Sequence, residues 1–148
     1  MAGLDQVSGE SGRVVVAKLA PGEDLLRSTE RIAAAEKVSS ASVEAIGTLD
    51  EVKMAFFGKE GHELIEFTGR LELVSCLGNV CVKEDGASMV HLHAVVSDVN
   101  GHCLGGHVLE GCKIAATAEV VIREIRGIKM ERVVEKETGR ISLQLSAE

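Results

Sequence analysis

Apolar and polar positions alternate in short runs along most of the chain, and one stretch alone carries a clear helical period. Arg13 to Leu19 reads RVVVAKL, β-branched and short, and predicts a strand. Pro21-Gly22-Glu23-Asp24 then breaks the chain and opens a helix with negative charge at its start. From Asp24 to about Val38, Leu25, Ile32, Ala35 and Val38 form a buried stripe with Leu26 and Ala33 beside it. Arg27, Glu30, Arg31 and Glu36 make the wet side, and Ser39-Ser40 ends the helix.

Everything after that reads as β-rich. Val43 to Ile46 and Glu51 to Phe57 are strands on either side of Gly47 to Asp50. Gly58-Lys59-Glu60-Gly61 is a turn, and His62 to Phe67 begins the return strand of a hairpin. Arg70 to Lys83 follows, with a bend at Gly78-Asn79, and Glu84-Asp85-Gly86 turns again. A histidine-rich segment comes next, then Lys113 to Ile125, Lys129 to Glu135 and Arg140 to Leu145. Ala115 to Val121 also fits a helix, since Ile114, Ala118, Val121 and Ile125 share a helical face. Its β-branched continuation VVIREI favours the strand. The expected fold is α+β: an antiparallel sheet with one main α-helix packed on it. Residues 1–12 are small and polar and read as a flexible tail, leaving residues 13–145 as a single domain.

Composition narrows the functions. There is no Trp or Tyr, and Phe56, Phe57 and Phe67 are the only aromatic residues, so the core is aliphatic and base stacking on single strands lacks its platforms. Sixteen basic against 23 acidic residues give a net charge of −7, which disfavours direct nucleic-acid binding. Arg123, Arg126, Lys129 and Arg132 form the densest basic stretch; with Glu124 and Glu131 among them they read as a solvated face. No apolar run reaches membrane-spanning length and no signal-peptide core is visible, so a soluble, cytoplasmic protein is expected. Cys76, Cys81, Cys103 and Cys112 contain no C-x-x-C pair and read as reduced packing residues.

Candidate chemistry lies in Met89–Gly111, MVHLHAVVSDVNGHCLGGHVLEG, which holds four of the five histidines. On a strand His91 and His93 point to one face, about 6 to 7 Å apart. Asp98-Val99-Asn100-Gly101-His102 suits a three-residue hairpin loop with Gly101 in the left-handed position. In that register Asp98 faces His102 and His93 lies opposite His107, so His91, His93 and His107 converge while His102 stays at the loop. Three imidazoles on two rigid strands meet the needs of a divalent-metal site with an open position, Zn²⁺ first among the candidates. A two-residue loop would put His107 opposite Ala94 and dissolve the cluster. Ordinary strand histidines are the alternative reading, and neither His102 nor His62 is expected to be a ligand.

Several separated motifs then resemble one family. Gly69-Arg70-Leu71-Glu72-Leu73-Val74-Ser75 and Leu77-Gly78-Asn79 resemble the G-R-F-E-I-L-S-L-S-G segment of the plant- and prokaryote-conserved (PPC) domain. His91-Leu92-His93-Ala94, Gly105-Gly106-His107-Val108 and Glu110-Gly111 resemble the H-L-H and G-G-H motifs of its stand-alone prokaryotic members. Ala118 to Ile122 resembles their next strand, and Leu19 to Glu23 fits ahead of the helix. The match runs in order from about Arg13 to Ile125, with the strands of residues 129–145 outside it.

That resemblance implies a homotrimer whose three histidines hold a metal at a cleft between subunits, with Gly69, Arg70, Leu71, Glu72, Leu73 and Val74 at a partner interface. Plant members sit beside AT-hooks, and prokaryotic members often carry a DNA-binding label; this chain has no R-G-R-P core, and Leu71 replaces the usual Phe. Self-association also has a physical counterpart, because both parities of Lys113 to Ile125 are apolar and such a strand needs cover on both faces. Three functions follow. The first is a binding and assembly module with a small-molecule ligand at the metal. The second is a metal-dependent hydrolase-type enzyme, which would need a general base near the site that neither Glu110 nor Asp98 supplies by parity. The third is a DNA-associated regulator.

Overall fold

The computed structural model describes residues 5–58, 61–136 and 139–148, and of His62 the backbone alone. Helix α1 (Leu25–Ala35) starts where Asp24 caps it: the Asp24 carboxylate accepts from the Arg27 backbone N–H at 3.0 Å. The same carboxylate accepts from the Gly111 N–H at 2.7 Å, so one buried side chain ties the helix start to the turn before the sixth strand. The helix stops at a Glu36 cap, with Lys37 at φ 56°, a turn before the expected Ser39-Ser40 end. Leu25, Ser28, Thr29 and Ala33 are its buried face, and Val38 is buried just past its end. Ala35 is exposed, contrary to the expected stripe, because two residues at 100° each carry it to the far side from Ala33.

The strands are β1 (Glu10–Leu19), β2 (Ala41–Gly58), β3 (Gly61–Lys83), β4 (Ser88–Ser97), β5 (Cys103–Val108), β6 (Lys113–Arg126), β7 (Ile128–Val134) and β8 (Ile141–Ala147). β1 begins at Glu10, paired to Arg126, so the last residues assigned to a tail already belong to the sheet; Met1–Leu4 lie outside the described residues. Gly47 to Asp50 does not divide two strands. The chain runs through as one 18-residue strand, and the irregularity appears as register shifts between Ala45 and Gly47 and between Leu49 and Glu51. His62–Phe67 and Arg70–Lys83 likewise merge into the 23-residue β3. The tip of the hairpin at Lys59-Glu60 lies outside the described residues.

Gly78 is not a bend. It pairs with Val43 on one side and Leu92 on the other, and a Cβ there would overlap the His91 carbonyl oxygen. The glycine serves close approach of backbones rather than a turn. Lys113 to Arg126 is a strand, as its β-branched end favours, covered by β1 and β2.

The sheet order is β1-β6-β2-β5-β4-β3-β7-β8, with β2 also paired to β3. β2, β3, β4 and β5 therefore close a hydrogen-bonded circuit, β2 changing partner from β6 along Ala41–Glu51 to β5 at Met54-Ala55. The sheet is mostly antiparallel; the correction is one parallel pair, Val82–Glu131 and Lys83–Arg132, by which the β7–β8 hairpin joins β3. An aliphatic core of Leu49, Val52, Met54, Leu71, Leu73, Leu92, Val96 and Ile114 fills the inner face, and α1 packs on β4, β6 and β1. Cys76, Cys81 and Cys112 are buried and Cys103 is exposed, all as free thiols; burial pushes the Cys76 thiol up to about 12. Among the described residues no helix is long and apolar enough to cross a membrane.

Replacing Gly78 with Ala forces β3 and β4 apart at the backbone. The expected result is a loss of roughly 1–3 kcal/mol in denaturant unfolding, typical of strain inserted into a packed interior. Ala at Gly86, an exposed turn with nothing within 4 Å of a built Cβ but with φ +80°, should cost only about 1 kcal/mol.

Candidate metal centre

The five-residue connection between β4 and β5 sets the site. Gly101 sits at φ 81°, the Asp98 N–H donates to the His102 carbonyl at 3.0 Å, and the Asp98 carboxylate accepts from the Asn100 and His102 N–H groups at 2.8 Å each. This is the expected loop, and it brings His93 directly opposite His107. Leu92, Ala94 and Val96 point into the core, so strand alternation turns His91 and His93 outward together.

His91 Nε2 lies 2.9 Å from His107 Nδ1 and 3.2 Å from His93 Nε2. One ring nitrogen from each of the three residues falls within a 4.8 Å group. Tetrahedral bonds of about 2.05 Å require ligand nitrogens about 3.3 Å apart, and the two spacings from His91 lie close to that value. The donor set is three neutral imidazoles, suited to Zn²⁺ and to its first-row neighbours alike. Among the described residues no cysteine or carboxylate joins them. His102 pairs instead with Asp98 at 3.1 Å, and the His62 side chain lies outside the described residues.

Electrostatics keep His91 uncharged, while the donor-only Arg132 guanidinium at Nδ1 puts the ring proton on Nε2, so coordination through Nε2 requires Arg132 to turn away. Burial, helped by the Arg132 guanidinium and the two neighbouring imidazoles, lowers His91 from 6.5 to about 4, so it is neutral at physiological pH. Arg132 is the residue that sequence reasoning misses. The basic stretch is only partly a solvated face: Arg123 pairs with Glu44, Arg126 with Glu124 and Lys129 with Glu131. Arg132 turns inward, its Nη2 2.6 Å from His91 Nδ1 and 3.5 Å from Asn79 Oδ1, while its Nε is buried without a partner. No local pattern could show this, because the contact depends on the parallel β3–β7 pairing.

Phe56 and Phe57 are a second omission. They stand 57% and 59% exposed beside His93, His107, Gly105 and Gly106 around a cavity of about 480 Å³. The available signal was compositional, since all three aromatic residues fall between positions 56 and 67. The two glycines serve backbone approach: a Cβ at Gly105 would lie 2.7 Å from the Ala94 carbonyl oxygen, and one at Gly106 2.9 Å from that of Ala55.

Of the segment Gly69–Val74 expected at a partner interface, Leu71 and Leu73 are spent on the chain's own core at 1% and 2% exposure. Alternation leaves Arg70, Glu72 and Val74 outside, and Arg70 lies 3.7 Å from Asp50 of the same chain. Glu110, near His107 in sequence, bonds Arg27 at 2.6 Å instead.

The profile of the Plants and Prokaryotes Conserved (PCC) domain family matches residues 6–126. A Bifunctional protein GlmU of Synechococcus sp. (strain JA-2-3B'a(2-13)) is 33% identical over 129 residues, 86% of this chain and 19% of that protein. The chain thus spans about a fifth of the length of the curated relatives it matches. A plant- and prokaryote-conserved (PPC) protein of Pyrococcus horikoshii superposes with TM-score 0.84 at 29% identity, covering 98% of this chain and 99% of that one. A metal-containing protein of Archaeoglobus fulgidus has the same TM-score of 0.84 at 24% identity, covering 95% and 99%.

The lowered His91 site has a stability consequence in the metal-free protein. Between about pH 6.5 and 4 the unfolded chain binds a proton at His91 that the folded chain does not, so stability rises with pH across that window and falls on acidification. Solvent screening at this half-buried ring limits the effect to the order of 1–2 kcal/mol. Denaturant unfolding of chelator-treated protein from pH 7 to 4.5 should show that loss, and His91→Gln should reduce it.

Proposed function

The chain belongs to the Plants and Prokaryotes Conserved (PCC) domain family, and we propose that it works as a self-associating binding module built around a divalent metal, Zn²⁺, held by His91, His93 and His107. The observation that carries this reading is the convergence of three ring nitrogens within 4.8 Å of one another, two of the pairs close to the spacing a four-coordinate ion requires. That the Archaeoglobus fulgidus protein of the same fold is described as metal-containing supports it. A bound zinc supplies Lewis-acid polarisation of a ligand oxygen or a water of lowered pKa. The chain's own residues do the rest: β4 and β5 fix the three rings, and burial with Arg132 keeps His91 uncharged.

Binding is favoured over hydrolysis by what surrounds the histidines. Asp98 is committed to the loop and His102, and Glu110 to Arg27, so neither supplies the general base a hydrolase would use. A module acting beside other domains also fits the matching segment's place as about a fifth of the Synechococcus protein.

Self-association as a homotrimer rests on the outer sheet face. Val16, Ile46, Val74, Leu77 and Val95 are 40–71% exposed, and a groove between Ile46, Val74, Leu77 and Val121 joins β2, β3 and β6. An exposed apolar stretch of this kind suits cover by further copies. It reaches the metal centre directly, since Leu77 pairs with His93 across β3 and β4. In this arrangement the open side of the metal faces a subunit cleft.

Untagged protein purified without chelators should contain close to one zinc per chain by plasma mass spectrometry, and His93→Ala should lose it. A metal-free wild type that cannot be loaded with Zn²⁺ would sink the metal reading. In light-scattering mass measurements the wild type should run at three times the chain mass and Leu77→Glu should shift toward monomer; a monomeric wild type would remove the assembly reading.

A further inference from the structure

We infer that the cavity beside His93 and His107 takes a small monoanion with an apolar body, a monocarboxylate whose charged end meets the metal and whose hydrocarbon end lies along Phe56 and Phe57. The inference rests on the metal reading above and names the class of ligand for that site. Its first support is charge. Three neutral imidazoles leave a bound divalent cation with both its charges, and among the described residues no carboxylate joins the histidines to reduce them. An anionic ligand completes the site at the least electrostatic cost.

The second support is the wall. Ala55, Phe56, Phe57, Gly105 and Gly106 line the cavity around the two histidines, and none carries a charged side chain. Phe56 and Phe57 have no polar atom to satisfy, yet both are more than half exposed in a chain that has only three aromatic residues. A volume of about 480 Å³ admits a body several carbons long.

These features also separate ligand classes. Inorganic phosphate would satisfy the metal but leave its remaining oxygens against apolar walls without donors, which is costly. A neutral or cationic ligand of the same shape would gain the walls and lose the charge. A hydrocarbon carboxylate uses both.

The test is a calorimetric titration of Zn²⁺-loaded protein, its metal content measured beforehand, with hexanoate, acetate, hexanamide and inorganic phosphate. Cobalt-loaded protein titrated in parallel reports entry to the metal's coordination sphere by its visible spectrum. Hexanoate is expected to bind at least about tenfold tighter than acetate, given four further methylenes against the walls. It should perturb the cobalt spectrum, while hexanamide binds at least about tenfold more weakly. Phe57→Ser, a change at an exposed position, should retain the metal and shrink the hexanoate-to-acetate ratio toward one.

Loaded wild-type protein that binds acetate and hexanoate equally, prefers phosphate, or binds hexanoate with no change in the cobalt spectrum would overturn this inference and leave the metal site standing. Protein that takes up no metal would overturn both.

Discussion

The pairing of His93 with His107 across β4 and β5 is the constraint on which the site depends. A strand shows alternate faces at every second residue, so a shift of one position would send His107 to the core side and bring Gly106 into its place. The register is held at one end by the Asp98–His102 loop, where a single carboxylate accepts two backbone N–H bonds and faces the His102 ring. It is held along its length by Leu92, Ala94 and Val96, which leave the core if the strand slips. The histidines thus inherit their positions from packing they do not take part in.

Much of this was legible from residues. Two histidines one residue apart, a turn with glycine in the left-handed place and a third histidine at the matching distance define the cluster, and the structure places all three as that register requires. Lys113 to Ile125 is legible as a strand too, and lies within β6, because its β-branched half decides between two periods that its alanines leave open. The glycines misled. Gly47 and Gly78 look like breaks in a linear reading, whereas in the fold they let neighbouring backbones approach within long, curved strands. A turn and a tight strand crossing leave the same mark in one sequence.

What could not be read is whatever depends on pairing between distant segments. Arg132 sits in a run that looks like an ordinary charged face, and only the parallel contact between β3 and β7 carries it to His91. It contributes a donor where a metal-bound histidine commonly has an acceptor, which disfavours protonated His91 and leaves a buried Nε unpaired. The hairpin that supplies it, β7 and β8, follows the last residue of the family match at position 126. The same limit applies to Leu71 and Leu73: the motif marks them as important, and the alternation of β3 assigns that importance to the core.

The central claim is that three histidine nitrogens hold the metal with one position open to a ligand. X-ray absorption at the zinc edge of the loaded protein tests it most directly. The account predicts three imidazole nitrogens at about 2.0–2.1 Å and a fourth light ligand, with no sulfur in the shell. A sulfur contribution near 2.3 Å, or a shell of oxygens without the imidazole scattering pattern, would contradict it.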